Sequence, residues 1–266
     1  MLKIEPRKNR SNFLEVSAPV IAVFLTMIFG GFLFLSMGKN PFEAIKLIFW
    51  DPIMSPTFSE YSRPQLVIKA APLILIALGL SFGFRANIWN IGAEGQYIMG
   101  ALISGSIGLA LYPLDSMVIF PLMILGGIIG GILWAMIPAI LKIRFNTNEI
   151  LVSLMLVYVA EQILALASVG FLRNPEGLGF PGSRDLSKYP SAANPELIAN
   201  SGIHMGVIFS IIAVIVLTYF LIYHRLGFQI KLLGQAPKAS KFSGVNSNYI
   251  IIFCLGLSGG LAGVAG

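Results

Sequence analysis

Residues 84–96, FRANIWNIGAEGQ, place a dense set of polar side chains between two long apolar runs. Three of them, Asn87, Asn90 and Gln96, are amides that offer both hydrogen-bond donors and acceptors, which suits hydroxyl groups or a nucleobase edge. Trp89 adds a flat apolar surface against which a sugar or base can lie, and Glu94 adds a carboxylate. We predict that these five residues line the path of a polar solute. The alternative is that Asn87 and Asn90 only satisfy backbone groups freed where a helix is interrupted.

The composition indicates the environment of this stretch. The chain has 266 residues, of which 56% are hydrophobic and 11% charged, whereas soluble domains carry about 25% charged residues. Apolar runs of about 20 residues recur along it, as helices need to cross a hydrocarbon core about 30 Å thick, and β-barrel strands would be shorter and alternating. We predict an all-α integral membrane protein, a polytopic helix bundle in the lipid bilayer. We attribute the net charge of +6 to membrane topology and expect no nucleic-acid partner.

Seven apolar runs are predicted to span the membrane in a single transmembrane domain, residues 1–266. The first run follows Lys3, Arg7, Lys8 and Arg10, which place the N-terminus in the cytoplasm. The last run stops at Gly266 without a flanking charge or tail, so we expect a C-terminally truncated chain. The predicted spans are residues 17–37, 66–84, 96–112, 117–141, 149–171, 204–223 and 249–266, with an external loop at residues 172–203 and a cytoplasmic loop at residues 224–248.

Local patterns predict three further features. Residues 41–50, PFEAIKLIFW, can form a short interfacial helix. The fifth span is predicted to begin at an N-cap, Asn146 or Thr147, with Glu149 completing a capping box. Small residues at four-residue spacing are expected to be helix-packing faces. These small residues are Gly100, Ser104 and Gly108 in the third span, and Gly126 with Gly130 and Gly127 with Gly131 in the fourth.

Two charges are predicted to lie within the membrane. Arg85 either forms an internal ion pair with Glu94 or serves as a topology anchor at the inner face. Glu161 lies about 18 Å along its predicted helix from Glu149, at 1.5 Å per residue, which puts a carboxylate near the middle of the bilayer. A carboxylate at that depth is neutralised by protonation or by another helix. Proton coupling through a carboxylate is therefore an alternative role.

The sequence contains no motif for bond chemistry. No phosphate-binding GxxxxGK[ST] loop occurs, so ATP would have to be hydrolysed on another chain. The two histidines, His204 and His224, lie at opposite ends of one predicted span, too far apart to share a metal ion. They are interpreted as interfacial residues. We predict no catalytic residue, no metal site and no cofactor bound by this chain.

Four segments carry a joint pattern that covers most of the chain: FRANIWNIGAEGQYIMGA, FNTNEILVSLMLVYVA, NPEGLGFPGS and GFQIKLLGQAPKASKFSGVN. Together, and in this order, they resemble the permease subunits of bacterial ATP-binding-cassette importers for simple sugars and nucleosides, a group that includes ribose and branched-chain amino-acid permeases. Members of this family continue into further helices, which agrees with the expected truncation. The resemblance implies a multi-pass subunit of the bacterial inner (plasma) membrane. It also implies a second permease subunit, expected to be a different chain, cytoplasmic cassette ATPase subunits that hold ATP and Mg, and an extracytoplasmic solute-binding protein.

The resemblance further implies that the ATPase contact is a short helix in the cytoplasmic loop, at residues 234–244. The residues agree with this: Pro237 can begin a helix, Lys238 and Lys241 share one face, and Gly244 can end it. A solvated basic loop is the alternative. The residues assigned to ATPase coupling are Gly234, Ala236, Pro237, Lys238, Lys241 and Gly244.

The sequence thus favours the permease subunit of an ATP-driven importer for a nucleoside or simple sugar. The segments NIGAEGQ and TNEI resemble the nucleoside branch more than the ribose or amino-acid branches. One alternative is a proton-coupled secondary transporter that uses Glu94 or Glu161. Another is a membrane fragment or assembly protein that transports nothing.

Overall fold

The structure, a computed structural model, describes residues 12–178 and 180–266. These residues divide into two compact units, residues 12–64 and residues 65–266. The predicted single domain over residues 1–266 stays a prediction. The basic residues that predict a cytoplasmic N-terminus, namely Lys3, Arg7, Lys8 and Arg10, lie outside the described residues.

The described residues are predominantly helical, and their β pairing is an isolated bridge between Glu196 and His204. The helices are α1 Asn12–Ser36, α2 Pro41–Ile45, α3 Asp51–Met54, α4 Ser59–Arg85, α5 Ala93–Ala110, α6 Ile119–Phe145, α7 Glu149–Val169, α8 Gly206–Tyr223, α9 Arg225–Gln235, α10 Pro237–Phe242 and α11 Ser247–Ala265, with a π-helical turn at Lys46–Trp50 and a 3-10 turn at Leu186–Lys188.

Six of the described helices, α1, α4, α6, α7, α8 and α11, are long and apolar enough to cross a membrane. The predicted all-α polytopic membrane protein is therefore confirmed. A helix also occupies the remaining predicted span, α5, which has 18 residues. Glu94 and Gln96 in its first turn, together with its glycines and serines, make it less apolar than the other six. The count of seven spans stays a prediction.

In the first unit, α1 exposes apolar side chains on nearly all of its surface. The chain then turns into the short helix predicted at residues 41–50. Asn40 caps that helix by accepting the backbone N–H of Phe42 at 3.1 Å. Phe42 and Trp50 are exposed, which suits aromatic side chains at the membrane interface.

In the second unit, α6 packs against α5 and α11 through its two glycine pairs. A Cβ on Gly131 would lie 2.0 Å from the carbonyl oxygen of Gly259, and one on Gly263 would lie 2.0 Å from that of Gly127. On the neighbouring face, a Cβ on Gly130 would come within 2.9 Å of an α5 carbonyl oxygen. Only glycine allows backbones to approach this closely. The predicted packing role is confirmed for Gly100 and Gly108 of α5 and for the two glycine pairs of α6, each of which serves a different neighbour. Ser104 lines a cavity instead.

The connection between α6 and α7 differs from the prediction. Asn146 ends α6 in the left-handed conformation, with φ of 51°, which asparagine tolerates better than most residues. The N-cap of α7 is Asn148, whose Oδ1 accepts the backbone N–H of Ile150 at 2.9 Å. Glu149 instead accepts a hydrogen bond from the ammonium group of Lys142 at 2.5 Å. The predicted cap at Asn146 or Thr147 and its capping box are therefore wrong.

The loop predicted to be external is anchored to the turn between α5 and α6. The buried hydroxyl of Tyr189 donates to the carbonyl oxygens of Leu111, at 3.1 Å, and Leu114. The Ser191 hydroxyl donates to the carboxylate of Asp115 and accepts the backbone N–H of Ser116 at 3.1 Å. Burial raises the pKa of the Tyr189 hydroxyl, and the nearby charge of Asp115 raises it further. These bonds hold the loop beside the ends of α5 and α6.

Candidate functional site

The polar stretch at residues 84–96 is a helix break, as predicted. α4 ends in a Schellman motif, in which Ile88 donates its N–H to the carbonyl of Gly83 at 2.9 Å and Asn87 donates to that of Phe84 at 3.1 Å. Asn87 has a φ of 59° and takes the position that glycine usually fills. The chain then runs without helix to Gly92, and α5 begins at Ala93.

Asn90 and Gln96 form a buried amide pair inside this break. The Asn90 amide nitrogen donates to Gln96 Oε1 and to Ser258 Oγ, both at 2.9 Å. Its oxygen accepts the N–H of Gly92 and the amide of Gln96, both at 3.1 Å. All the donors and acceptors of Asn90 are thus satisfied within the protein, and the two residues are 2% and 1% exposed. This arrangement supports the alternative that Asn90 satisfies backbone groups freed at the break.

The break is tied to two other helices. Ser258 belongs to α11, and Ser153 of α7 accepts the N–H of Ile91 at 3.2 Å. Gly92 lies directly against α7, because a Cβ there would be 2.6 Å from the carbonyl oxygen of Ser153. Movement of the break would therefore have to involve α7 and α11 as well.

The other predicted solute contacts lie on the surface of this chain. Trp89 is exposed, packs against Phe84 with the two rings tilted at a centroid distance of 4.8 Å, and donates to Asn87 Oδ1 at 3.2 Å. Glu94 is exposed in the first turn of α5, where a carboxylate favours the helix N-terminus. The roles of Asn87, Trp89 and Glu94 as solute contacts stay predictions.

The predicted ion pair between Arg85 and Glu94 is wrong. Both side chains are exposed, and within the described part of the chain no ion pair joins them. The break separates them, because Arg85 ends one helix and Glu94 begins the next. Glu161 is likewise exposed, on the surface of α7. Its intramembrane position stays a prediction.

The predicted cytoplasmic loop contains two helices where the sequence predicted one. α10 begins at Pro237, and the chain leaves it through Gly244, whose φ is 74°, as predicted. The preceding helix, α9, is an addition, capped by His224, whose Nδ1 accepts the N–H of Leu226 at 3.2 Å. Near its C-terminus, Gly234 packs against the break: a Cβ there would lie 2.0 Å from the carbonyl oxygen of Arg85. The predicted coupling segment thus touches the interrupted helix directly.

A second feature, which the sequence did not predict, is a cavity of about 420 Å³. It lies between α4, α5, α6, α8 and α11 and the loop that precedes α8. Cavities of about 300 to 1,000 Å³ hold small organic ligands. No aspartate or glutamate is among its lining residues in the described part of the chain. The polar and aromatic side chains of its lining are Lys69, Tyr97, Ser104, Phe120, Asn194, His204 and Phe209.

His204 has a defined tautomer at the edge of this cavity. Its Nδ1 accepts the backbone N–H of Gly206 at 3.2 Å and lies 2.9 Å from the amide nitrogen of Asn194. Because a backbone N–H can only donate, Nδ1 must carry a lone pair, and the ring proton of the neutral imidazole is on Nε2. The Nε2–H is therefore the hydrogen-bond donor of the neutral His204 ring, and this residue lines the cavity. Each histidine accepts a backbone N–H at the start of a helix, His204 at α8 and His224 at α9. Their interpretation as interfacial residues did not include this role.

A family model described as "Branched-chain amino acid transport system / permease component" matches residues 63–266. The chain is similar to a glucose ABC transporter permease protein of Haloferax volcanii, at 28% identity over 100% of this chain and 72% of that protein. A nucleoside ABC transporter permease protein of Lactococcus lactis shares 27% identity over 95% of this chain and 70% of its own length. A guanosine ABC transporter permease protein of Bacillus subtilis shares 26% identity over 93% and 70%. No solved structure matches the chain.

Proposed function

This chain belongs to the permease family of branched-chain amino acid transport systems and is the translocation-pathway subunit of an ATP-binding-cassette importer; from that premise we propose that its solute is a nucleoside or a simple sugar. The three relatives compared above are permeases for glucose, nucleosides and guanosine. These solutes are uncharged and rich in hydroxyl groups. The proposal is that this chain conducts the same chemical class.

The observation that carries the proposal is the lining of the cavity. An amino acid brings an ammonium group, which in a low-dielectric site needs a carboxylate partner, yet the described lining contains neither aspartate nor glutamate. The polar groups of the lining are the hydroxyl groups of Tyr97 and Ser104, the Asn194 amide, the His204 ring and the Lys69 ammonium group, and all of them can hydrogen-bond to the oxygen atoms of a sugar or nucleoside. The cavity thus favours a sugar or nucleoside over the amino acids that the family description names.

The proposal assigns energy coupling to α9 and α10. Separate cassette ATPase subunits, which hold ATP and Mg, would contact Ala236, Pro237, Lys238 and Lys241 from the cytoplasm. Gly234 would pass a displacement of these helices to the α4–α5 break, because its Cα packs against the Arg85 carbonyl. This chain itself would bind no cofactor.

We propose that this chain works in a complex with further subunits. A second permease subunit, expected to be a different chain, would complete the conduit, and an extracytoplasmic binding protein would deliver the solute. The complex would lie in the bacterial inner membrane. A proton-coupled transporter is less well supported, because Glu94 and Glu161 are both exposed on this chain.

Uptake by cells that carry the gene of this protein together with the genes of its ATPase and binding protein tests the proposal. We expect permease-dependent accumulation of labelled guanosine, uridine or glucose and none of labelled leucine, with a permease-deleted strain as the control. Uptake must persist when an uncoupler collapses the proton gradient while cellular ATP is maintained. Uptake of leucine alone, or loss of uptake with the proton gradient, would overturn the proposal.

A further inference from the structure

The cavity between α4, α5, α6, α8 and α11 is chemically divided. Phe120 of α6 and Phe209 of α8 line it with aromatic rings, whereas Lys69, Asn194 and His204 line it with polar groups. A hexose presents hydroxyl groups around most of its surface. A nucleoside instead combines a flat base, which stacks on aromatic rings, with a hydroxyl-bearing ribose. The lining matches this two-part solute.

Two polar residues of the lining can act towards a solute only as hydrogen-bond donors. Because Nδ1 of His204 already accepts the Gly206 N–H, the ring presents only its Nε2–H for further bonding. The ammonium group of Lys69 is also a pure donor. Two donors of this kind select a solute with several acceptors, such as the hydroxyl oxygens of ribose or the carbonyl oxygens of a base. Tyr97 and Ser104 of α5 supply hydroxyl groups that can accept as well as donate.

The helix break does not compete for this role in the described conformation. Its buried amides, Asn90 and Gln96, bond to each other and to Ser258, and the pair is almost completely excluded from solvent. The cavity is the space where polar groups from several helices face unfilled volume. A solute in transit would therefore meet the cavity lining and not the amide pair.

We propose that this cavity is a nucleoside-holding site within the permease, in which Phe120 and Phe209 contact the base and His204 and Lys69 donate hydrogen bonds to its polar atoms. This inference rests on the proposed function and narrows it to one solute class. The site binds weakly enough to release the nucleoside, since a conduit must let go of what it admits.

The test measures guanosine, uridine and glucose uptake by the complete transporter in proteoliposomes, with Phe209→Leu and His204→Asn variants. Leucine keeps apolar bulk but lacks the flat ring. Asparagine can still accept the Gly206 N–H as a side-chain cap, but it removes the imidazole Nε2–H. The matched control is Phe171→Leu, because Phe171 is exposed and does not line the cavity.

We expect wild-type protein to transport a nucleoside, and Phe209→Leu to raise its KM by about tenfold, as for loss of one base-stacking contact. His204→Asn should also raise the KM for the nucleoside, whereas Phe171→Leu should leave the KM, the maximal rate and the ATPase activity near wild type. Nucleoside uptake with an unchanged KM in both variants overturns the cavity assignment alone. Uptake of glucose without nucleosides overturns the inference but leaves the proposed function standing, whereas transport of neither solute class by the wild-type complex overturns both.

Discussion

Asn90 shows how one residue can serve a break in a membrane helix. Its amide satisfies the freed N–H of Gly92 and at the same time bonds to Gln96 and to Ser258 of α11. Without water in the bilayer, each of these groups would otherwise be left unpaired. The interruption is therefore stabilised by side chains and does not depend on solvent.

Replacing Asn90 with leucine, which has a similar volume, should destabilise the protein. The N–H of Gly92, the amide of Gln96 and the hydroxyl of Ser258 would lose this partner, at about 1 to 3 kcal/mol for each buried group left unsatisfied. We expect a clear fall in the midpoint of thermal unfolding in detergent, measured at a fixed heating rate. The control is Ser106→Ala, whose hydroxyl bonds to Leu102 of its own helix. Equal shifts in both variants would contradict the structural role of Asn90.

The residue types in this break were predictable from the sequence, but their partners were not. A dense set of polar residues and glycines between two long apolar runs indicates a helix interruption. The partner of Asn90, Ser258, lies 168 residues along the chain, and no local spacing relates the two. The predicted ion pair of Arg85 and Glu94 was wrong because the two residues, although close in sequence, lie on different helices on either side of the break.

At the scale of elements, α9 and α10 differ in how well the sequence predicted them. Pro237 and Gly244 are strong local signals for the ends of a short helix, and α10 lies between them. α9 was predicted only as part of the cytoplasmic loop at residues 224–248, without a helix of its own. Ile230 is fully buried against the core formed by α4 and α11, and Leu233 packs against the same core.

Gly234→Ala should uncouple transport from ATP hydrolysis. The added methyl group would meet the Arg85 carbonyl oxygen, 2.0 Å away, so α9 would have to move away from the break. We expect solute uptake in proteoliposomes to fall at least about tenfold, while the ATPase subunits still bind and hydrolyse ATP. Gly105→Ala is the matched control, since no atom lies within 4 Å of the added Cβ. Retained coupling in Gly234→Ala would show that this contact transmits nothing.

Residues 185–192, in the loop predicted to be external, should be ordered only within a window of pH. Ser187 donates its hydroxyl, at 2.6 Å, and its N–H, at 3.0 Å, to the Asp185 carboxylate, and these bonds lower the Asp185 pKa. Their stabilisation is present above the ordinary aspartate pKa of about 3.9 and is lost as pH falls through the lowered value. The raised pKa of Tyr189 acts in the opposite direction. Its contribution is present below about pH 10 and is lost as pH rises further.

Hydrogen exchange of residues 185–192 checks this window. We expect protection factors, corrected for the intrinsic rate at each pH, to stay constant between about pH 4 and pH 10 and to fall on both sides. Tyr189→Phe should lower protection at neutral pH, abolish the alkaline fall and retain the acidic one. If protection fell at alkaline pH to the same extent in wild type and in Tyr189→Phe, the Tyr189 hydroxyl would not be what anchors the loop.

At the scale of the whole molecule, hydropathy predicted where helices lie because each must be apolar over the thickness of the bilayer. The cavity could not be predicted in this way. Its lining comes from five helices and a loop, so that Lys69, Phe120 and Phe209 become neighbours of one space only after packing. In a sequence, a lysine in an apolar run is equally consistent with a side chain that snorkels to the membrane surface, and a phenylalanine with one that faces lipid. Geometry alone distinguishes these roles.

The glycine contacts of α6 with α5 and α11 have a consequence for the electrical properties of the membrane. Backbones that approach until even a methyl group would overlap leave no channel for water between them. Ions and protons, which need hydrated paths, are therefore kept out of this part of the bundle. We therefore expect the glycine contacts to prevent ion leakage between α5, α6 and α11, so that the membrane potential is not dissipated there.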